Sequence, residues 1–62
     1  MLLTPLADGQ KCVVVAGLKG AIGDYVVVLR RDSRYKSENY VCDYGGAEMV
    51  FPREQLTPVV MQ

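Results

Sequence analysis

The stretch Gly20-Ala21-Ile22-Gly23-Asp24-Tyr25-Val26-Val27-Val28-Leu29 decides the fold. Two glycines bracket a tight reversal, and the chain then runs into consecutive large apolar residues. Glycine adopts positive φ at no steric cost, so Gly20 and Gly23 suit a turn that feeds a strand. The run from Tyr25 to Leu29 is aromatic and β-branched, stiff at χ1 and too short for a helix. The expectation is a central strand, residues 25–30, that leaves a glycine turn. Alternation sets Tyr25, Val27 and Leu29 on one face and Val26, Val28 and Arg30 on the other. Both faces are apolar, which is unusual for a half-solvated antiparallel strand.

Upstream, Lys11-Cys12-Val13-Val14-Val15-Ala16 reads as the first strand, with burial on both faces or a cover over one of them. Residues 17–24 form its connection to the central strand, with Ile22 pointing inward. Residues 1–9 read as an N-terminal arm, broken by Pro5 and by the turn pair Asp8-Gly9. Leu2, Leu3 and Leu6 are expected to tuck against the body.

Downstream, residues 31–38 are polar and read as a long exposed loop. A third strand follows over residues 39–44, with Tyr40, Cys42 and Tyr44 on one face and Val41 opposite. Gly45-Gly46 signals a hairpin. A fourth strand covers residues 47–51 and stops at Pro52. Arg53-Glu54-Gln55 suits a single 3₁₀ turn, Leu56 plugs the core, and residues 57–61 make a short edge strand. Five short strands with glycine turns and one late helical turn predict an all-β fold, a small five-stranded barrel.

Sixty-two residues make one domain, 1–62. A chain of this length buries only roughly 60% of its extended surface, so a partner subunit would supply burial that it lacks. Seven basic and seven acidic residues cancel, and no global charge points to nucleic acid or membrane. The apolar start lacks a basic flank and is too short for a signal sequence, and no run has the length to span a bilayer. The expected setting is the cytoplasm, where Cys12 and Cys42 are small buried hydrophobes, a disulfide being the minor alternative.

The pattern Gly20-x-x-Gly23-x-x-Val26, with Tyr40-x-Cys42-x-Tyr44 and Leu56-Thr57-Pro58-Val59, resembles the SH3-like barrels, including the KOW-type modules. The resemblance spans about residues 9 to 60 and implies a fold rather than a function. A weaker likeness is to the type II plasmid dihydrofolate reductases, SH3-like barrels that work as tetramers. Their pore strand carries Val-Gln-Ile-Tyr followed by proline, where this chain has Glu48-Met49-Val50-Phe51-Pro52. Met49 and Phe51 lack the amide and the hydroxyl that would read cofactor and pterin, so the match implies shared architecture.

The catalytic inventory is thin. Histidine is absent, which removes the commonest general base and metal ligand. Ser33 and Ser37 have no paired base in view. Cys12 adjoins Lys11, but strand neighbours face opposite ways. Asp43 and Glu48 flank the Gly45-Gly46 turn and suit solvated positions better than a shared acid site. No metal spacing or cofactor motif is present.

Two features rise above this background. The loop gathers Arg30, Arg31, Arg34 and Lys36, opposed only by Asp32, with Tyr35 among them; clustered cations with an aromatic suit a phosphate backbone and a stacked base. The second feature is a valine face. Val13, Val15, Val26, Val28 and Val41 fall opposite the inferred core, a patch larger than a monomer normally exposes. The favoured expectation is a non-catalytic interaction module that self-associates or binds a protein through these valines and their neighbours Tyr25, Tyr40 and Tyr44. The alternatives are a nucleic-acid or ribonucleoprotein binder using residues 30–36, and an oligomeric reductase-like enzyme with its site at an interface.

Overall fold

A computed structural model of the chain describes residues 4–17, 19–34 and 38–60. Its strands are β1 (Lys11–Val14), β2 (Tyr25–Asp32), β3 (Asn39–Tyr44), β4 (Ala47–Pro52) and β5 (Leu56–Pro58). They form one antiparallel sheet in the order β4-β3-β2-β1-β5. Short 3₁₀ turns occupy Lys19–Ala21 and Arg53–Gln55, the second directly before β5. The all-β class and the late helical turn are therefore as expected. The end strands β4 and β5 share no ladder among the described residues, so the ladder itself is open.

Local chemistry explains the hairpin. Gly45 and Gly46 have φ of +60° and +92°, the left-handed pair that a two-residue turn matched to strand twist requires. The turn sets Tyr44 opposite Ala47, and the register runs on to Asn39 opposite Pro52.

Among the described residues no helix covers the sheet, so its inner face must be covered by its own curl. That face gathers Cys12, Val14, Val26, Val28, Tyr40, Cys42, Phe51 and Leu56, with Ala21 beneath the first 3₁₀ turn. Phe51 comes from one end of the sheet and Leu56 from the other, so shared burial requires coiling. Each large aliphatic side chain fully buried there contributes about 1.5–3 kcal/mol. Leu6 packs on this core, and its N–H donates to the Tyr40 hydroxyl at 3.0 Å; Leu2 and Leu3 lie outside the described residues.

The valine face needs correction. Val26 is 1% and Val28 0% exposed, both in the core, whereas Tyr25, Val27 and Leu29 face outward. An unbroken alternation puts Arg30 in phase with Val26 and Val28 and so marks their face as the wet one. A bulge breaks that phase: Val28 pairs with Cys42 but Arg30 pairs with Val41, leaving Leu29 as the extra residue. Ile22 is likewise exposed, and the Ala21 methyl takes the inward place beneath the turn. Val13 sits off the core face of β1 and is half-buried, and Val15, expected within the same strand, lies past its end and is exposed.

Arg53 is the knot of the fold. Only 6% exposed, it donates through Nε to the Thr4 carbonyl and through Nη1 to the Leu56 carbonyl, both at 2.7 Å. Its own N–H donates to the Glu38 carbonyl at 2.9 Å. One side chain thus ties the arm to the start of β5.

Gly17 shows a close approach that only glycine permits. Its φ is +97°, and an added Cβ would overlap the Gln55 side-chain amide. Gly17→Ala should lower stability by about 1–2 kcal/mol, read as a lower urea midpoint at unchanged slope.

Candidate interaction surface

The outer face of the sheet carries the features that the core does not use. Strand pairing places Lys11 opposite Val27 and Val13 opposite Tyr25. It also places Val27 opposite Asp43 and Arg30 opposite Val41, and Val41 opposite Val50. Directly opposed residues share a face, so these side chains form one continuous surface. Tyr25 is 59% exposed, and Val27, Leu29 and Val50 are exposed with it. The Lys11 ammonium lies 4.6 Å from the Tyr25 ring centre, a cation–π contact at one margin.

At the other margin lies an open hollow of about 370 Å³ lined by Arg30, Asp32, Arg34, Val41, Glu48 and Val50. Val41 is 7% exposed at its floor, although it belongs to the outer face. Charged groups on the rim pair with one another. Arg30 Nη2 meets Glu48 Oε1 at 2.9 Å, with both side chains well exposed. Arg34 grips Asp32 in two-pronged fashion, Nε to Oδ1 at 2.9 Å and Nη2 to Oδ2 at 3.0 Å, and its N–H adds a third bond at 3.2 Å.

The hydrogen bond from Arg34 is the main reason that the Asp32 carboxyl titrates below the ordinary range, with Arg30 adding to the effect. A depressed carboxyl stabilises the fold above its unfolded pKa, and that contribution disappears as pH falls through the folded value. Asp32→Asn should therefore be less stable than the unmodified chain at neutral pH. The gap should close as acid is added below about pH 4, followed by thermal melts across pH.

The basic loop is thus less positive in space than in sequence. Arg30 and Arg34 each hold a carboxylate, Arg31 is exposed, and Tyr35 and Lys36 lie outside the described residues. Glu48 reaches Arg30 only through the β3–β4 register, a partner invisible in the linear order.

The remaining candidates for chemistry are accounted for by packing. Cys12 and Cys42 are buried free thiols. Burial pushes the Cys42 thiol up to about 11, with Cys12 beside it, and burial raises Cys12 against the lowering effect of Arg53. Both therefore stay in the poorly nucleophilic thiol form at neutral pH. Met49 sides with the core and Phe51 is buried in it, so neither lines the outer face. Asp43 and Glu48 are directly opposed, but Asp43 accepts the Gly46 N–H at 2.9 Å while Glu48 holds Arg30. Among the described residues no three potential metal ligands come together, and no helix is long and apolar enough to cross a membrane.

Of the residues expected beside the valines, Tyr25 does face outward, whereas Tyr40 is buried in the core and Tyr44 packs against it. Leu29 and Val50 are outward residues that sequence reading misses, and only the β2–β3 and β3–β4 registers reveal them. Compared with known protein families, curated proteins and solved structures, the chain matches none.

Proposed function

We propose that this protein is a non-catalytic interaction module that self-associates through the outer face of its sheet. The observation that carries this is the row Tyr25, Val27 and Leu29 exposed along β2, with Val50 exposed on β4 across Val41. A second copy is the occupant favoured by charge. The formal net charge is zero, and Arg30 and Glu48 neutralise each other, while Val27 is flanked by both signs, Lys11 on one side and Asp43 on the other. A copy turned about a two-fold axis can set these opposite one another, whereas a polyanion meets arginines already holding carboxylates. The strand order β4-β3-β2-β1-β5 supports the resemblance to the SH3-like barrels, small scaffolds that serve many binding roles.

Sedimentation of the unmodified chain beside Val27→Glu tests the proposal. Val27 is exposed between Lys11 and Asp43, so a glutamate there gains one opposite charge and meets one like charge at the surface, and the fold should persist. Its self-association should weaken at least about tenfold, the effect of setting a charge within an apolar contact. Equal sedimentation of the two chains at every concentration would refute a contact through this face. Tight, salt-sensitive binding of oligonucleotides would instead favour the arginines as the working surface.

A further inference from the structure

β4 terminates the sheet, and nothing among the described residues pairs with its outer edge. The strand is six residues long and carries no lysine, and its proline comes last. β5, at the other end, is three residues long and contains Pro58. Long unguarded edges are templates for another strand, and short or proline-bearing edges are not.

The β3–β4 hairpin determines which backbone groups are spare. Residues flanking a two-residue turn exchange both hydrogen bonds, and every second pair beyond them does the same. Those pairs are Tyr44 with Ala47, Cys42 with Met49 and Tyr40 with Phe51. Glu48 and Val50 therefore turn their N–H and C=O groups to the open edge, and Pro52 offers a carbonyl alone.

We propose that the β4 strands of two copies pair antiparallel along this edge, about a two-fold axis at Met49. The contact rests on backbone pairing and is separate from the face contact above. In this register Glu48 stands opposite the partner's Val50, and Met49 opposite the partner's Met49. Each Glu48 N–H donates to the partner's Val50 carbonyl, and each Val50 N–H to the partner's Glu48 carbonyl. Neighbouring registers are worse. Sliding two residues one way opposes Glu48 to the partner's Glu48, a like-charge clash. Sliding two the other way leaves a Glu48 carbonyl facing a proline that has no N–H. The chosen register uses every spare N–H and aligns the two outer faces as one surface.

The test uses the Val27→Glu chain, in which the face contact is weakened at least about tenfold, so that the amide protection below distinguishes the two contacts. Edge pairing predicts that it still sediments as a dimer at high concentration. The amides of Glu48 and Val50 should gain protection from hydrogen exchange only there. Adding Val50→Lys sets an ammonium opposite the partner's Glu48 and should tighten that dimer about two- to fivefold. A monomeric Val27→Glu chain overturns edge pairing while leaving the face contact standing. A dimer with unprotected Glu48 and Val50 amides, or one loosened by Val50→Lys, overturns it as well. Failure of the face contact has a different signature, an unmodified chain that sediments like Val27→Glu.

Discussion

Arg53→Met should cost about 3 kcal/mol of folding stability, measured by urea denaturation at neutral pH. The reason is local. The guanidinium is buried and supplies donors to two main-chain carbonyls, those of Thr4 and Leu56. Removing it leaves both acceptors short of a partner where water does not easily replace it, and such orphaned groups cost more than a typical hydrogen bond contributes. A chain of this length has a total stability of only about 3–9 kcal/mol, so the loss is a large fraction of the whole. Arg53→Lys should recover only part, since a single ammonium lacks the planar fork that reaches both carbonyls. Arg30→Met provides the contrast. Its ion pair with Glu48 is well exposed on both sides, and its removal should change stability by less than about 1 kcal/mol. Equal effects at Arg53 and Arg30 would show that the arm is not held by that side chain.

The second large effect concerns adjacent valines on β2. Val28→Ala should lose about 2–3 kcal/mol, because it opens a cavity beside Cys42 in the packed inner face. Val27→Ala, one residue earlier, should change monomer stability by less than about 0.5 kcal/mol, since its side chain faces outward. Urea denaturation at low protein concentration separates the two without interference from association. The reverse ranking would restore the face assignment that simple alternation suggests.

These two predictions mark where sequence reading stops. β3, the Gly45-Gly46 turn and the Arg53–Gln55 turn are written locally: an aromatic alternation, a glycine pair, and a short polar stretch after a proline. The facing of β2 is not local. Both of its parities are apolar, and the phase shift at Leu29 exists only once the strand is paired with β3. Arg53 is hidden for a related reason. Its acceptors are main-chain carbonyls, one from Thr4 far up the chain, and carbonyls carry no sequence signal. The arginine cluster shows the same limit from the other side. Its count is plain in the sequence, but Glu48, which neutralises part of it, is brought to Arg30 by a hairpin. Composition shows the apolar excess, and only strand pairing decides which of those residues face outward.

Within one molecule the sheet buries Val26 and Val28, and under the proposed association Val27 and Leu29 are buried only against a second copy. Side-chain signals recorded with a dissolved paramagnetic probe, at low and then high protein concentration, test both halves together. Val26 and Val28 should be shielded throughout, with Tyr25, Val27 and Leu29 bleached in dilute solution and shielded when concentrated. Bleaching of Val26 and Val28, or of Val27 and Leu29 undiminished at the highest concentration, would contradict it.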